Sequence, residues 1–189
     1  HAAMLAACLA RGVHYLDITG EIPVFEAIAS RDAAARRAGI PYTVHEYAHA
    51  ARTSLKEGGR GYALEAVEAL GIDAGRVFKT IVVAVDGRLG LAVVPADSDV
   101  DLKAMADALG GRKAVIAQPA EAEKATGYVL GGISPLGTRR PLPTVVDASA
   151  GSWPTIHVSA GRRGLEIELA VADLVALVGG SVAPVARRG

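Results

Sequence analysis

The stretch VFKTIVVAVDGRLGLAVVP, residues 77–95, constrains the fold more than any other part of the chain. β-Branched and apolar residues this dense read as a buried strand. Asp86-Gly87 is a strong hairpin signal, and LGLAVV returns alongside the first strand and ends at Pro95. Lys79 is the anomaly in this run. A buried ammonium is rarely left unpaired, because its desolvation costs several kcal/mol. On one reading Lys79 sits at a strand edge and its stem snorkels to water. On the other, the cation is held at the floor of a cleft to grip a phosphate or a carbonyl oxygen. Thr80 points to the opposite face of the same strand, so the two need not act together.

Around this hairpin the pattern predicts alternating strands and helices. PYTVHEY reads as a strand, and a polar, Gly-rich loop, HAARTSLKEGGRG, leads to the helix YALEAVEAL. Asp99 or Asp101 can cap the helix DLKAMADAL. KAVIA is a short strand, and Pro119 opens the helix PAEAEKAT at the position proline prefers. TVVDA, TIHVSA and LEIELA are strands, with GRRG as a turn, and ADLVALV is a closing helix. Before residue 39 the sequence predicts a helix at 4–9, a strand at 13–18 and a helix at 23–38. The rhythm is not a strict βαβ repeat, so a mixed sheet flanked by helices fits best.

The chain has 189 residues, enough for one compact domain and an appendage, with 20 basic and 20 acidic side chains. Near-zero net charge argues against coating nucleic acid by electrostatics alone. Cys8 is the single cysteine, so no internal disulfide forms and a reducing compartment is expected. No apolar run approaches the roughly 20 residues that span a bilayer. The expected location is the cytoplasm. The start, HAAMLAACLARG, lacks an initiator Met and reads as a truncated or fused N-terminus.

Three features could carry chemistry. Lys79 is the first. The second is GGISPLG, residues 131–137, a stiff Gly- and Pro-rich loop whose main chain a ligand could approach closely. It matches neither dinucleotide nor P-loop fingerprints. The third is VSAGRRGLEIEL, 158–169, either a charged hairpin or a polar wall with Arg162 and Arg163 facing a polyanion. His14, His45, His49 and His157 lack metal-ligand spacing, so no zinc site is expected. No GxSxG or Cys–His pairing suggests a protein nucleophile. Hydrolysis would then proceed without metal, cofactor or covalent intermediate.

Taken together, YTVHEY, VFKTIVVAVDG, ATGYVLGGISPLG, PTVVDASA and VSAGRRGLEIELAVADL resemble the YbaK-type Cys-tRNA(Pro) deacylases. These are editing domains related to the insertion domain of bacterial prolyl-tRNA synthetase. The resemblance covers about residues 39–188. It implies an α+β fold with a mixed, mostly antiparallel, partly barrel-like sheet flanked by helices, forming an editing domain at 39–189. It also implies hydrolysis of a mischarged aminoacyl-tRNA, most simply Cys-tRNA(Pro). Ala-tRNA(Pro) editing, or a non-catalytic tRNA- or synthetase-binding module, are the alternatives.

The family's required lysine corresponds to Lys79, in the same FKT setting. Tyr47, Tyr62, Thr80, Ser159 and Glu166 match positions that line the family's pocket. Tyr62 stands where phenylalanine is often found, and Glu166 where aspartate is common. Gly131 to Pro135 match the Gly-x-x-x-Pro loop, which holds the 3′-terminal adenosine and the ester. Gly131 and Gly132 are the candidate oxyanion donors, with Ser134 and Pro135 completing the loop. The ester is already activated, so positioning and electrostatics carry the catalysis. A protonated Lys79 would grip the substrate, whose own thiol attacks the ester in the family's picture. The implied partners are the tRNA(Pro) acceptor end and prolyl-tRNA synthetase, with no membrane and no DNA.

Residues 1–38 instead resemble a fragment of a saccharopine-dehydrogenase-like or trans-acting enoyl reductase Rossmann domain. That helix–strand–helix piece carries no glycine-rich dinucleotide loop, and no oxidoreductase activity is expected of it. Its second helix could stand in for the first helix of the editing family.

Overall fold

A computed structural model describes residues 41–47 and 60–188. The elements expected at 4–9, 13–18 and 23–38, and most of the loop after Tyr47, lie outside them. The hairpin forms as expected from strand β2 (Val77–Val85) and strand β3 (Arg88–Pro95). Asp86 and Gly87 both take positive φ, 47° and 82°, which matches the right-handed twist of the flanking strands. The Asp86 carboxylate also accepts the N–H groups of Arg112 and Lys113, at 2.8 and 3.1 Å, anchoring the chain that enters the next strand.

In chain order the remaining elements are β1 (Tyr42–Glu46), α1 (Arg60–Leu70), β4 (Ser98–Val100), α2 (Leu102–Ala108), β5 (Ala114–Ile116) and α3 (Pro119–Thr126). They are followed by β6 (Thr144–Asp147), β7 (Ile156–Ser159), β8 (Leu165–Leu169), α4 (Val171–Val178), β9 (Ser181–Ala183) and β10 (Ala186–Arg188). The main sheet runs β1-β8-β7-β2-β3-β6-β9, with β5 also on β2, and β10 pairs with β4 in a second, small sheet. Most pairings are antiparallel, whereas β2–β7, β3–β6 and β6–β9 are parallel. The sheet path has two ends, β1 and β9, so no closed barrel forms among the described residues.

Asp101, rather than Asp99, caps α2 by accepting the N–H of Ala104 at 3.0 Å. Pro119 begins α3, and α1 starts at Arg60, inside the stretch that reads as loop. Strands β4, β9 and β10 go unread in the sequence. Each has three residues, too few for a pattern, and each exists through a partner distant in sequence.

Both faces of the sheet are covered, which explains the unbroken apolar character of β2. On one face Val77 packs with Ala63 and Ala66 of α1, while Val83 and Val85 pack with Met105 and Ala106 of α2. On the other, Phe78 packs with Leu174 of α4, and Val82 with Ala122 and Ala125 of α3. Each fully buried Val or Leu contributes roughly 1.5–3 kcal/mol.

Candidate active site

Strand alternation puts Lys79 on the face shared by Val77 and Val83, between the patch under α1 and the patch under α2. The strand edge is also interrupted there. On the side away from β3, β7 pairs with Val77 and Phe78 and β5 with Val83 to Val85. Lys79, Thr80 and Ile81 fall between those two partners. Lys79 is only 8% exposed, and its Nζ donates to Ala96 O at 3.2 Å. Ala96 is the residue whose N–H closes back on Val77 O after β3.

A polar row crosses the sheet at this level. One residue beyond the last β2–β7 pair, Phe78 with Val158, stand Lys79 and Ser159. The next strands set Glu166 opposite Ser159 and His45 opposite Glu166. Aligned residues share a face, so strand pairing sets Lys79, Ser159 and Glu166, from distant parts of the chain, along one face of the sheet. Glu166 is buried, and its Oε2 has no hydrogen-bond partner among the described residues. Burial pushes its carboxyl from 4.5 up to about 8, so it is mostly protonated at neutral pH. Tyr47, just past β1, packs beside the α1 patch. Burial, then the charges of Glu166 and Glu65, raise its phenol well above the usual range.

The glycine loop meets the 161–164 turn. Gly131 has φ +83°, and a Cβ there would lie 2.6 Å from the Tyr62 ring. A Cβ on Gly132 would lie 2.8 Å from Arg162 Cα. Arg163 bridges the pieces: its Nε and Nη2 donate to Leu130 O at 2.9 and 2.6 Å, and its guanidinium lies 4.5 Å from the centre of the Tyr62 ring.

Three expectations change in detail. The N–H of Gly132 donates to Val129 O at 3.0 Å, so this group closes the turn rather than facing a substrate. Ser134 and Pro135 are buried, and Ser134 Oγ accepts the N–H of Leu136 at 3.1 Å, which shapes the loop from inside. Arg163 is a strut between loop and helix rather than a free contact for a polyanion. Thr80 lies on the face opposite Lys79, as alternation requires, with its hydroxyl buried and unpartnered among the described residues. The structure thus groups Lys79, Ser159 and Glu166 on one face, links Tyr62 to Gly131, and separates Thr80 from both.

A second polar cluster joins His45, at the end of this row, to His157 and Glu168, one same-face step along β7 and β8 from Ser159 and Glu166. His45 Nε2 and Glu168 Oε2 are 2.9 Å apart, and the His45 and His157 ring centres 4.9 Å apart. Burial, partly opposed by Glu168, pushes the His157 imidazole down to about 4. The Thr155 hydroxyl, joined by His45, His157 and Arg76, holds the Glu168 carboxyl below its usual value despite some burial. Linear spacing hides this cluster because three strands supply it. The alternations His157-x-Ser159 and Glu166-x-Glu168 were the available signal. The surface clefts at Val100–Lys103 with Arg187, and at Ala84, Asp86, Gly87, Lys113 and Val115, contain none of these residues.

The chain belongs to the aminoacyl-tRNA editing domain family, whose model matches residues 60–177. It is 35% identical over 151 residues to EbsC of Enterococcus faecalis, covering 79% of this chain and 87% of the relative. EbsC is named as a candidate Cys-tRNA(Pro)/Cys-tRNA(Cys) deacylase. A multifunctional Ser/Thr-tRNA deacylase, ProXp-y of Escherichia coli, is 38% identical over 84 residues, 44% of this chain and half of that protein. Among solved structures, one described as a candidate trans-editing enzyme for prolyl tRNA synthetase superposes with a TM-score of 0.69 at 25% identity. It covers 85% of this chain and 97% of that one. No helix among the described residues is long and apolar enough to cross a membrane.

Proposed function

We propose that this chain is a trans-acting aminoacyl-tRNA deacylase that hydrolyses mischarged tRNA, with Cys-tRNA(Pro) as its principal substrate. The observation that carries this reading is the buried Lys79, on the same sheet face as Ser159 and Glu166 at a break in strand pairing. An ammonium in that position can grip the terminal phosphate or ribose. The glycine loop at Gly131 receives the adenosine and the ester along its main chain, and Tyr47 and Tyr62 wall the amino-acid side. Because the ester is already activated, holding it beside a fixed charge supplies most of the barrier reduction. In this reading the substrate's own thiol attacks the ester.

Cys-tRNA(Pro), Ala-tRNA(Pro), Ser-tRNA and Pro-tRNA(Pro) should be offered to wild type and to Lys79→Ala. Cys-tRNA(Pro) should be cleaved fastest, and the variant should lose turnover while keeping its far-UV circular dichroism. Near-normal turnover in the variant would sink the assignment. The similarity to a Ser/Thr-tRNA deacylase supports a second reading, in which Ser-tRNA leads the series. The working partners are the tRNA(Pro) acceptor end and prolyl-tRNA synthetase in the cytoplasm, so tRNA affinity should rise when the synthetase is added. The editing domain is taken as 39–189 and residues 1–38 as an appendage, so deleting residues 1–20 should leave turnover intact.

A further inference from the structure

The second polar cluster has the makings of a site of its own. His45, His157 and Glu168 each offer one ligand atom, and those atoms lie within 4.8 Å of one another. Glu168 Oε2 is 2.9 Å from His45 Nε2 and 3.9 Å from His157 Nε2. The other oxygen, Oε1, is held by Arg76 and by the Thr155 hydroxyl, which turns Oε2 toward the two imidazoles. Oriented carboxylates of this kind are typical of metal ligands supported from behind. His157 is 2% exposed, and neither of its ring nitrogens has a hydrogen-bond partner among the described residues. A buried imidazole carries one donor and one acceptor, and native structures seldom leave both unmet.

The geometry points to a binding site for one divalent transition-metal ion of the zinc class, held by His45, His157 and Glu168. Two imidazole nitrogens and one carboxylate oxygen suit zinc, with a fourth position left to water. Metal–ligand bonds of about 2.0–2.2 Å put tetrahedral ligand atoms about 3.3 Å apart. The separations to Glu168 Oε2 bracket that value, and small side-chain rotations bring the set together. The His45 and Glu168 side chains are 30% and 21% exposed, so an ion can enter from solvent. The Arg76 charge on the far oxygen weakens the hold, which makes the ion exchangeable.

The three ligands lie on β1, β7 and β8, two residues from Tyr47, Ser159 and Glu166 respectively. An ion here would staple the edge strand β1 to its neighbours and so position Tyr47. Binding itself stands apart from the deacylase reading, and the test reads binding.

The full chain, stripped with chelator, should be titrated with Co²⁺ and its visible absorption followed, then with Zn²⁺ by calorimetry and thermal melting. One ion per chain, a tetrahedral Co²⁺ band and a raised Tm are expected for wild type. All three should be lost in His45→Ala and in Glu168→Gln with far-UV circular dichroism unchanged. The partly exposed His45 keeps the test open even if His157→Ala does not fold. No binding by wild type overturns the proposal. So does equal binding by both variants, which would place the ion on other residues.

Discussion

Asp147 and Glu166 are both buried carboxylates, at 4% and 7% exposure, yet their surroundings differ completely. Asp147 ends β6 and has both oxygens committed. Oδ1 accepts the N–H and hydroxyl of Ser149, and Oδ2 accepts the N–H groups of Val185 and Ala186 at 2.8 and 2.7 Å. Burial pushes its carboxyl up, but the Ser149, Ala186 and Val185 hydrogen bonds outweigh that and lower it from 3.8. Glu166 has an oxygen without a partner among the described residues and is raised to about 8 by burial. A carboxylate whose lone pairs are all used holds the fold together. One left without a partner among the described residues, opposite Ser159, costs stability instead.

The largest expected effect is on the structural carboxylate. Asp147→Ala leaves the N–H groups of Val185 and Ala186 without an acceptor and unpins β10 from its place beside β4. We expect a loss of about 3 kcal/mol in urea unfolding. A loss below about 1 kcal/mol would show that solvent replaces these bonds and would remove half of the contrast.

The two groups also tilt the pH–stability curve in opposite directions. Asp147 has a lowered folded value, so its contribution is present above 3.8 and is lost as pH falls through the folded value. Glu166 has a raised folded value, so its contribution is present below 4.5 and fades as pH rises toward about 8. The Glu166 contribution should therefore fall by on the order of a few kcal/mol between about pH 5 and pH 8. Below about pH 6.5 His157 offsets part of this, because its lowered value adds stability as pH rises, so the net loss is concentrated between about pH 6.5 and 8. Glu166→Gln should flatten that slope and make the variant the more stable protein at the alkaline end. Unfolding curves taken with chelator present, to keep ions off the neighbouring cluster, would measure both. An unchanged slope would mean that Glu166 is ionised in the folded protein.

How far these features could be read from sequence depends on how local they are. The β2–β3 hairpin was legible because its turn chemistry and apolar runs lie within one short stretch. Lys79 stood out against that background for the same reason. Glu166 was reachable as a position in a resembling string, but its placement beside Ser159 is set by the pairing of β7 with β8. The row from Lys79 to Ser159 needs a further strand pairing, which no periodicity encodes. Gly132 shows a finer limit: its place in the loop was legible, but the use of its N–H in the turn depends on backbone geometry. The histidine–glutamate cluster is invisible to linear ligand spacing because the sheet assembles it across three strands. The sharing of Asp147 with residues nearly forty positions later is hidden for the same reason.

Ser149→Ala gives the smallest effect and the sharpest test of how Asp147 works. The substitution removes the hydroxyl hydrogen bond to Oδ1 but leaves the Ser149 N–H on the same oxygen and both donors on Oδ2. A single hydrogen bond to a charged group, partly replaceable by water at this half-buried position, should cost about 1 kcal/mol. The Ser149 hydroxyl is the largest of the influences that lower the Asp147 carboxyl. Its removal should therefore raise the folded-state value toward 3.8 and shift the acid-unfolding limb to higher pH, while the Glu166 slope at neutral pH stays as in wild type. A shift of both limbs would show that the two carboxylates are coupled through the sheet. An acid limb that moves alone would establish Asp147 as an independent anchor.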